Sequence, residues 1–133
     1  LSFVDLAPTV LSLAGVAVPA HMQGTARLGP QQAKTQRRYV FAARDRMDSE
    51  YDRVRSVHDG RFQYVRNYEP EKPYYQPIAF RLNQPSMRAM LALRDAGRLN
   101  ATQQQWFRPT KPAEELYDLT TDPHQLVNLA DRP

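Results

Sequence analysis

The chain predicts an α+β fold: an antiparallel sheet of about four strands with packed helices. Three observations carry this. Residues 51–58 and 61–68 alternate with period two. Tyr51, Arg53, Arg55 and Val57 oppose Asp52, Val54, Ser56 and His58, and Phe62, Tyr64, Arg66 and Tyr68 oppose Arg61, Gln63, Val65 and Asn67. Asp59-Gly60 stands between them, a strong short-range hairpin signal that predicts a type I′ turn. Helical spacing occurs elsewhere, in residues 3–15 and 85–97.

Taken in order, the first helix places Phe3, Leu6, Val10, Leu13 and Ala14 on one apolar face. Ser2 is its N-cap, and Asp5 holds the capping-box position. Pro8 should kink the helix or delay its regular part, and Gly15 should stop it. So apolar a helix needs a large partner, expected in residues outside this chain. Residues 17–36, punctuated by Pro19, Gly24, Gly29 and Pro30, read as a connector.

Tyr39 to Ala43 is a short apolar strand, and the charged stretch from Arg44 to Glu50 reads as the loop joining it to the next strand. Residues 69–77 are Pro-rich and extended, with Tyr74 and Tyr75 as surface anchors. Pro85 begins a helix that Gly97 ends. Asn100 caps a short helix carrying Trp106 and Phe107 toward a core. Residues 114–119 form a fourth strand. Thr121 to His124 turn into a short terminal helix holding Leu126, Val127 and Leu129. Asn128 should tie off backbone groups.

Composition narrows the chemistry. At 133 residues, 41% hydrophobic and 24% charged, the chain is ordinary globular material. The absence of cysteine excludes disulfides, thiolate metal sites and cysteine nucleophiles within it. The net charge of +4 is carried mostly by arginine, whose planar fork suits sulfate, phosphate or carboxylate. Without a basic run or an RNA-binding signature, it does not point to nucleic acid. No apolar run approaches the ~20 residues of a membrane span. His21, His58 and His124 are isolated and make no metal-ligand spacing. The nucleophile elbow, the P-loop and the dinucleotide fingerprint are absent.

The most suggestive constellation is the charged loop. Arg44, Asp45, Arg46 and Asp48, with Arg55 on the next strand, are the candidates for contact with an anion and with sugar hydroxyls. The alternative is a solvated loop of surface ion pairs worth about 0–1 kcal/mol each.

Phe3-Val4-Asp5-Leu6-Ala7-Pro8-Thr9, with Leu13-Ala14-Gly15-Val16, Pro19 and Gln23-Gly24, resembles the last helix and connector of the type I sulfatases of the alkaline-phosphatase superfamily. Arg61-Phe62-Gln63-Tyr64-Val65-Arg66-Asn67, then Glu115-Leu116-Tyr117-Asp118-Leu119, Asp122-Pro123 and Asn128-Leu129-Ala130, resemble that family's C-terminal subdomain. The likeness extends to its heparan N-sulfatase-like branch and to related bacterial sulfatases.

The resemblance implies the C-terminal portion of a sulfate-ester or sulfamate hydrolase. Residues 1–36 would be the last helix and connector of the catalytic domain, and residues 37–133 the subdomain that shapes the cleft for a sulfated sugar. It implies calcium and a formylglycine in a missing N-terminal catalytic domain, the partner of this segment, and a periplasmic or secreted setting. The formylglycine motif Cys/Ser-x-Pro-x-Arg is not met here: Ser49-Glu50-Tyr51-Asp52-Arg53 has Tyr where Pro belongs. The segment itself is expected to hold no catalytic residue, metal ligand or cofactor, to be inactive alone, and to self-associate through its apolar helix. A free-standing carbohydrate- or anion-binding module and a purely structural lid are the alternatives.

Overall fold

The structure, a computed structural model, describes residues 2–35 and 37–131. It divides into two compact units, residues 1–41 and 42–133.

The first unit is built on α1 (Leu6–Leu13), entered through a 3₁₀ turn, Phe3–Asp5. Pro8 sits in the first turn of α1, so the regular helix starts late, as expected. Asp5 reaches back to the Ser2 N–H at 3.2 Å. At the other end Gly15 takes φ 71°, the Val16 N–H bonds to the Leu11 carbonyl, and the Gly15 N–H bonds to that of Ser12. This is a complete Schellman stop.

The orientation of α1 is inverted relative to ordinary amphipathic helices. Its buried positions are Asp5, Pro8 and Ser12, whereas Phe3 is 90% exposed and Val10 and Leu13 are also exposed. The connector lies along the polar face. Thr25, Arg27 and Gln31 donate their backbone N–H groups to Asp5 Oδ1, Thr9 Oγ1 and Ser12 Oγ, each at 3.0 Å. Gly24 permits this approach, because a Cβ there would fall 1.7 Å from the Val4 carbonyl oxygen.

The sheet has the order β1-β2-β3-β4. Its strands are β1 (Val40–Met47), β2 (Glu50–His58), β3 (Phe62–Asn67) and β4 (Glu114–Asp118). Antiparallel register pairs Val54 with Asn67 and His58 with Gln63, and then Phe62 with Asp118 and Arg66 with Glu114. The fold is therefore α+β with a four-stranded antiparallel sheet, as predicted.

Several local expectations are corrected. β1 runs through Arg44, Asp45, Arg46 and Met47, so the long charged loop shrinks to Asp48-Ser49, with Asp48 at φ 55°. Strand pairing absorbs the charged residues because their heads leave the sheet while their backbone stays in it. The Asp59-Gly60 hairpin exists, but Gly60 alone takes positive φ (105°), which is the pattern of a type II′ turn. The Asp59 carboxylate accepts the N–H groups of Arg61 and Phe62, and these bonds hold its pKa low.

The terminal helix is absent. The Asp122 carboxylate takes the N–H groups of Leu126 and Val127, Gln125 adopts φ 56°, and the chain runs on as turns. Asn128 ties off backbone as anticipated: it accepts from Leu116 and Ala130 and donates to the Glu114 carbonyl.

The helices of this unit are α2 (Ala79–Leu82), α3 (Pro85–Asp95) and α4 (Ala101–Trp106). α2 carries no sequence signal. α3 starts on Pro85 and ends at Gly97 with φ 64°. Asn100 caps α4 by accepting from the Gln103 N–H at 2.9 Å. Tyr74 and Tyr75 are half-buried rather than surface anchors. They pack on Trp106 and Phe107, with ring centroids 6.3 and 5.2 Å apart.

The interior of this unit is unusually polar. Beside Ile78, Leu99 and Tyr117 it buries Asp52, Asn67, Gln76, Lys111, Glu115 and Asp118. Buried polar groups need partners, and following those partners leads to the candidate site.

Candidate functional site

Strand alternation sends neighbouring side chains to opposite faces. It therefore splits the five predicted site residues. Asp45 and Arg55 face one side and pair with each other at 2.6 Å; Arg55 also donates to the carbonyls of Arg44 and Val54, each at 2.9 Å. Both are substantially exposed, so the pair adds little stability. Arg46 donates from Nε to the Asp48 carbonyl at 2.5 Å and lies over the Tyr51 ring, 5.4 Å from its centroid. Asp48 shapes the hairpin turn through its backbone.

Arg44 turns to the other face and enters a buried cluster. Its Nη2 donates to Gln76 Oε1 and stands 3.4 Å from Asp52 Oδ2. Gln76 Nε2 donates to Asp52 Oδ2 at 2.9 Å, and Lys111 Nζ to Asp52 Oδ1 at 2.8 Å. The Lys111 side chain is only 1% exposed. Two cations thus surround one carboxylate, leaving one surplus positive charge in a low-dielectric setting.

Arg44 itself is not fully spent. Its side chain keeps 30% exposure, its Nη1 has no partner among the described residues, and its Nε is buried without a hydrogen bond. A buried donor without a partner costs about 1–3 kcal/mol.

Asp52, Gln76 and Lys111 lie outside the charged group that the sequence marks. Asp52 sits on the alternation face it shares with Val54, while Gln76 and Lys111 lie in Pro-rich irregular segments without periodicity. No local pattern could have marked them.

The arrangement presents a guanidinium held along one edge, which suits a planar or tetrahedral oxyanion. It does not fit a metal ion or a formylglycine. Asp52 is already committed to Lys111 and Gln76, and Ser49 donates its hydroxyl to Glu50 Oε1 at 3.2 Å in the hairpin turn. Among the described residues no three His, Asp or Glu side chains are gathered to hold a metal. His21 and His124 are exposed, and His58 is half-buried on β2. No described helix is long and apolar enough to cross a membrane.

At the far edge of the sheet, Asp118 accepts Arg61 Nε and Nη2 at 3.0 and 2.6 Å, and Thr120 Oγ1 at 2.6 Å. The Arg61 bonds, followed by the Thr120 hydroxyl, hold its carboxyl far below the usual range. Asn67 and Tyr117 secure Glu115 nearby. Asp118 is thus tied off by Arg61 and Thr120 and reads as architecture.

No protein-family model matches the chain. It is similar to an ulvan-active sulfatase of Formosa agariphila, 50% identical over 133 residues, which is all of this chain and 22% of that protein. A second ulvan-active sulfatase of the same organism is 28% identical over all of this chain and 25% of its own length. The chain therefore spans about a fifth to a quarter of the curated relatives it matches. Among solved structures, a 2-O GAG sulfatase superposes with TM-score 0.54 and 26% identity, over 97% of this chain and 20% of the other. A further structure, solved with D-glucosamine-2-N,6-O-disulfate as substrate, shares the fold at TM-score 0.52 and 17% identity.

Proposed function

We propose that this chain, a homologue of the C-terminal segment of sulfatases, works within an enzyme that hydrolyses sulfate esters or sulfamates of a sulfated sugar, and that it forms part of the substrate cleft. The observation that carries the reading is the posture of Arg44. Asp52 and Gln76 both hold its Nη2, Nε is buried, Nη1 has no partner among the described residues, and the side chain as a whole keeps 30% exposure. Such a donor is already ordered before the anion arrives, so little rotamer entropy is lost on binding. Arg46 lies on the same strand face two residues on and is the second sulfate or sugar contact. Asp45, Asp48 and Arg55 contribute by holding the hairpin in shape.

Since the residues here do not fit calcium or formylglycine, both would be supplied by another part of the enzyme, in its catalytic domain, and this segment would bind and orient without breaking bonds. Residues 1–36 would belong with the catalytic domain, whose surface covers the apolar face of α1. The ulvan-active relatives make a sulfated algal polysaccharide the substrate class to test first. A free-standing binding module is not favoured, because the matched relatives carry this whole chain as one part of a sulfatase.

The test is kinetic. In the enzyme carrying this chain, Arg44→Ala should lower kcat/KM on a sulfated oligosaccharide about 10- to 100-fold with little change in Tm. Arg44→Lys should recover only part of it, since a point charge lacks the fork. Wild-type kinetics in Arg44→Ala would remove the proposed role.

A further inference from the structure

We propose that the cavity bounded by the end of α4, β4 and the turn at residues 124–126 is a binding subsite for one uncharged pyranose ring. The cavity holds about 280 Å³ and is lined by both aromatic and hydrogen-bonding side chains. That is near the lower limit for small-ligand pockets and suits a single sugar unit.

Tyr74 and Trp106 form its apolar wall. Their rings are stacked, 13° from parallel with centroids 6.3 Å apart, and Arg81 lies over the indole, 5.5 Å from its centroid. The C–H face of a pyranose matches such a wall, and its hydroxyls need donors and acceptors around the rim. The rim supplies them: the amides of Gln105 and Gln125, the hydroxyl of Thr102 and the ring of His124.

Glu115 supplies the strongest acceptor. Tyr117 donates its hydroxyl to Oε2, and Asn67 Nδ2 donates to Oε1 at 2.5 Å. Each carboxylate oxygen retains a lone pair for a further hydroxyl. Burial, with the neighbouring carboxylate, raises the phenol pKa values of Tyr74 and Tyr117, so both remain protonated donors.

Charge decides which ligand enters. No Lys or Arg lines the cavity. A sulfated unit would meet the Glu115 carboxylate, while the Arg81 guanidinium nearby is already held over the Trp106 ring and toward the Gln76 carbonyl. A bulky ammonium would need an open carboxylate, whereas Glu115 is buried and already holds two donors. A hydroxyl is small enough and can both donate and accept. The strained Gln125 (φ 56°) is kept at the rim by the Asp122 bonds to Leu126 and Val127. The assay below rests on the sulfatase reading for its substrate; the binding measurement does not.

The experiment uses the whole enzyme that contains this chain, with Trp106→Ala, Trp106→Phe and Gln105→Ala. The substrates are a sulfated oligosaccharide and a small aryl sulfate. Saturation-transfer NMR with the desulfated oligosaccharide, and separately with choline, measures binding directly. Trp106→Ala should raise KM for the oligosaccharide about tenfold with kcat unchanged, and should leave aryl sulfate turnover alone. Trp106→Phe should keep most of the wild-type KM, and Gln105→Ala should show a smaller rise. Saturation transfer to the desulfated sugar should vanish in Trp106→Ala. An unchanged oligosaccharide KM overturns the proposal, as does an equal loss on both substrates, which would mark a structural role. So does saturation of choline in place of the sugar. If the wild-type enzyme turns over neither sulfate, the sulfatase reading fails, and the saturation-transfer result alone supports or overturns the subsite.

Discussion

Two buried carboxylates, one in each unit, lie between pairs of cations and meet different fates. Asp5 in the first unit accepts the Thr25 and Ser2 N–H groups and pairs with Arg27 and Arg37, all at 3.0–3.2 Å. Burial pushes its carboxyl up, but the Thr25 and Ser2 bonds and then Arg27 outweigh it and hold the pKa at about 2. Asp52 in the second unit is bonded by Lys111 and Gln76, yet the arginine beside it keeps Nη1 without a partner among the described residues. The lesson is one of saturation: a hub whose donors are all spent can only hold structure. A hub with donors left over has something to offer a ligand.

The sharpest way to break this contrast is Lys111→Met. Removing the buried cation leaves Asp52 only Gln76 and the longer, partly exposed Arg44 contact, and about 3 kcal/mol of stability, the low end for breaking a buried pair, should be lost in a denaturant melt. A loss under ~1 kcal/mol, the range of exposed pairs, would show that Asp52 is solvated and that the hub is not buried.

Next comes Gln76→Leu. It removes both the Asp52 bond and the grip on Arg44. About 1–3 kcal/mol should go, and kcat/KM on a sulfated oligosaccharide should fall toward the Arg44→Ala value. Lost stability with unchanged kinetics would put Gln76 in the fold alone.

Acid sharpens the other side. The folded pKa of Asp5 is depressed from an ordinary value of 3.8 to about 2. Its contribution is therefore fully present above 3.8 and is lost as pH falls through about 2. The protection factor of the Thr25 backbone amide, its exchange rate relative to the intrinsic rate at each pH, should fall over that window and stay constant from pH 7 to 5. Protection already lost near pH 5 would contradict the saturated hub.

The smallest effect expected is that of Thr9→Val, which deletes the hydroxyl bonded to the Asp5 carbonyl and the Arg27 N–H. About 1 kcal/mol per bond is the scale, and a melt of the first unit reads it.

The sheet was legible because period-two alternation survives in β2 and β3 and a turn residue separates them. β4, the α4 cap at Asn100 and the glycine stops at 15 and 97 were legible for the same reason: each is written in adjacent residues. The loop between β1 and β2 was misjudged because a run of charges resembles a loop, although charged heads do not prevent strand pairing. The missing terminal helix reflects Asp122, whose carboxylate offers the backbone an alternative to helical bonds. The candidate site was half legible. Arg44 stood out as one of a charged group, but its supports lie 8, 32 and 67 residues away in sequence, at Asp52, Gln76 and Lys111, where only the folded chain brings them together.

One consequence remains in the first unit, at Gly24. Its neighbour's carbonyl stands where a methyl group would have to go. Replacing it with alanine would alter mass, charge and hydropathy hardly at all, and a survey of variants ranked by chemical similarity would pass over it. Yet that single carbon should pry the connector off the helix, so the mildest-looking change in this segment is among its most damaging.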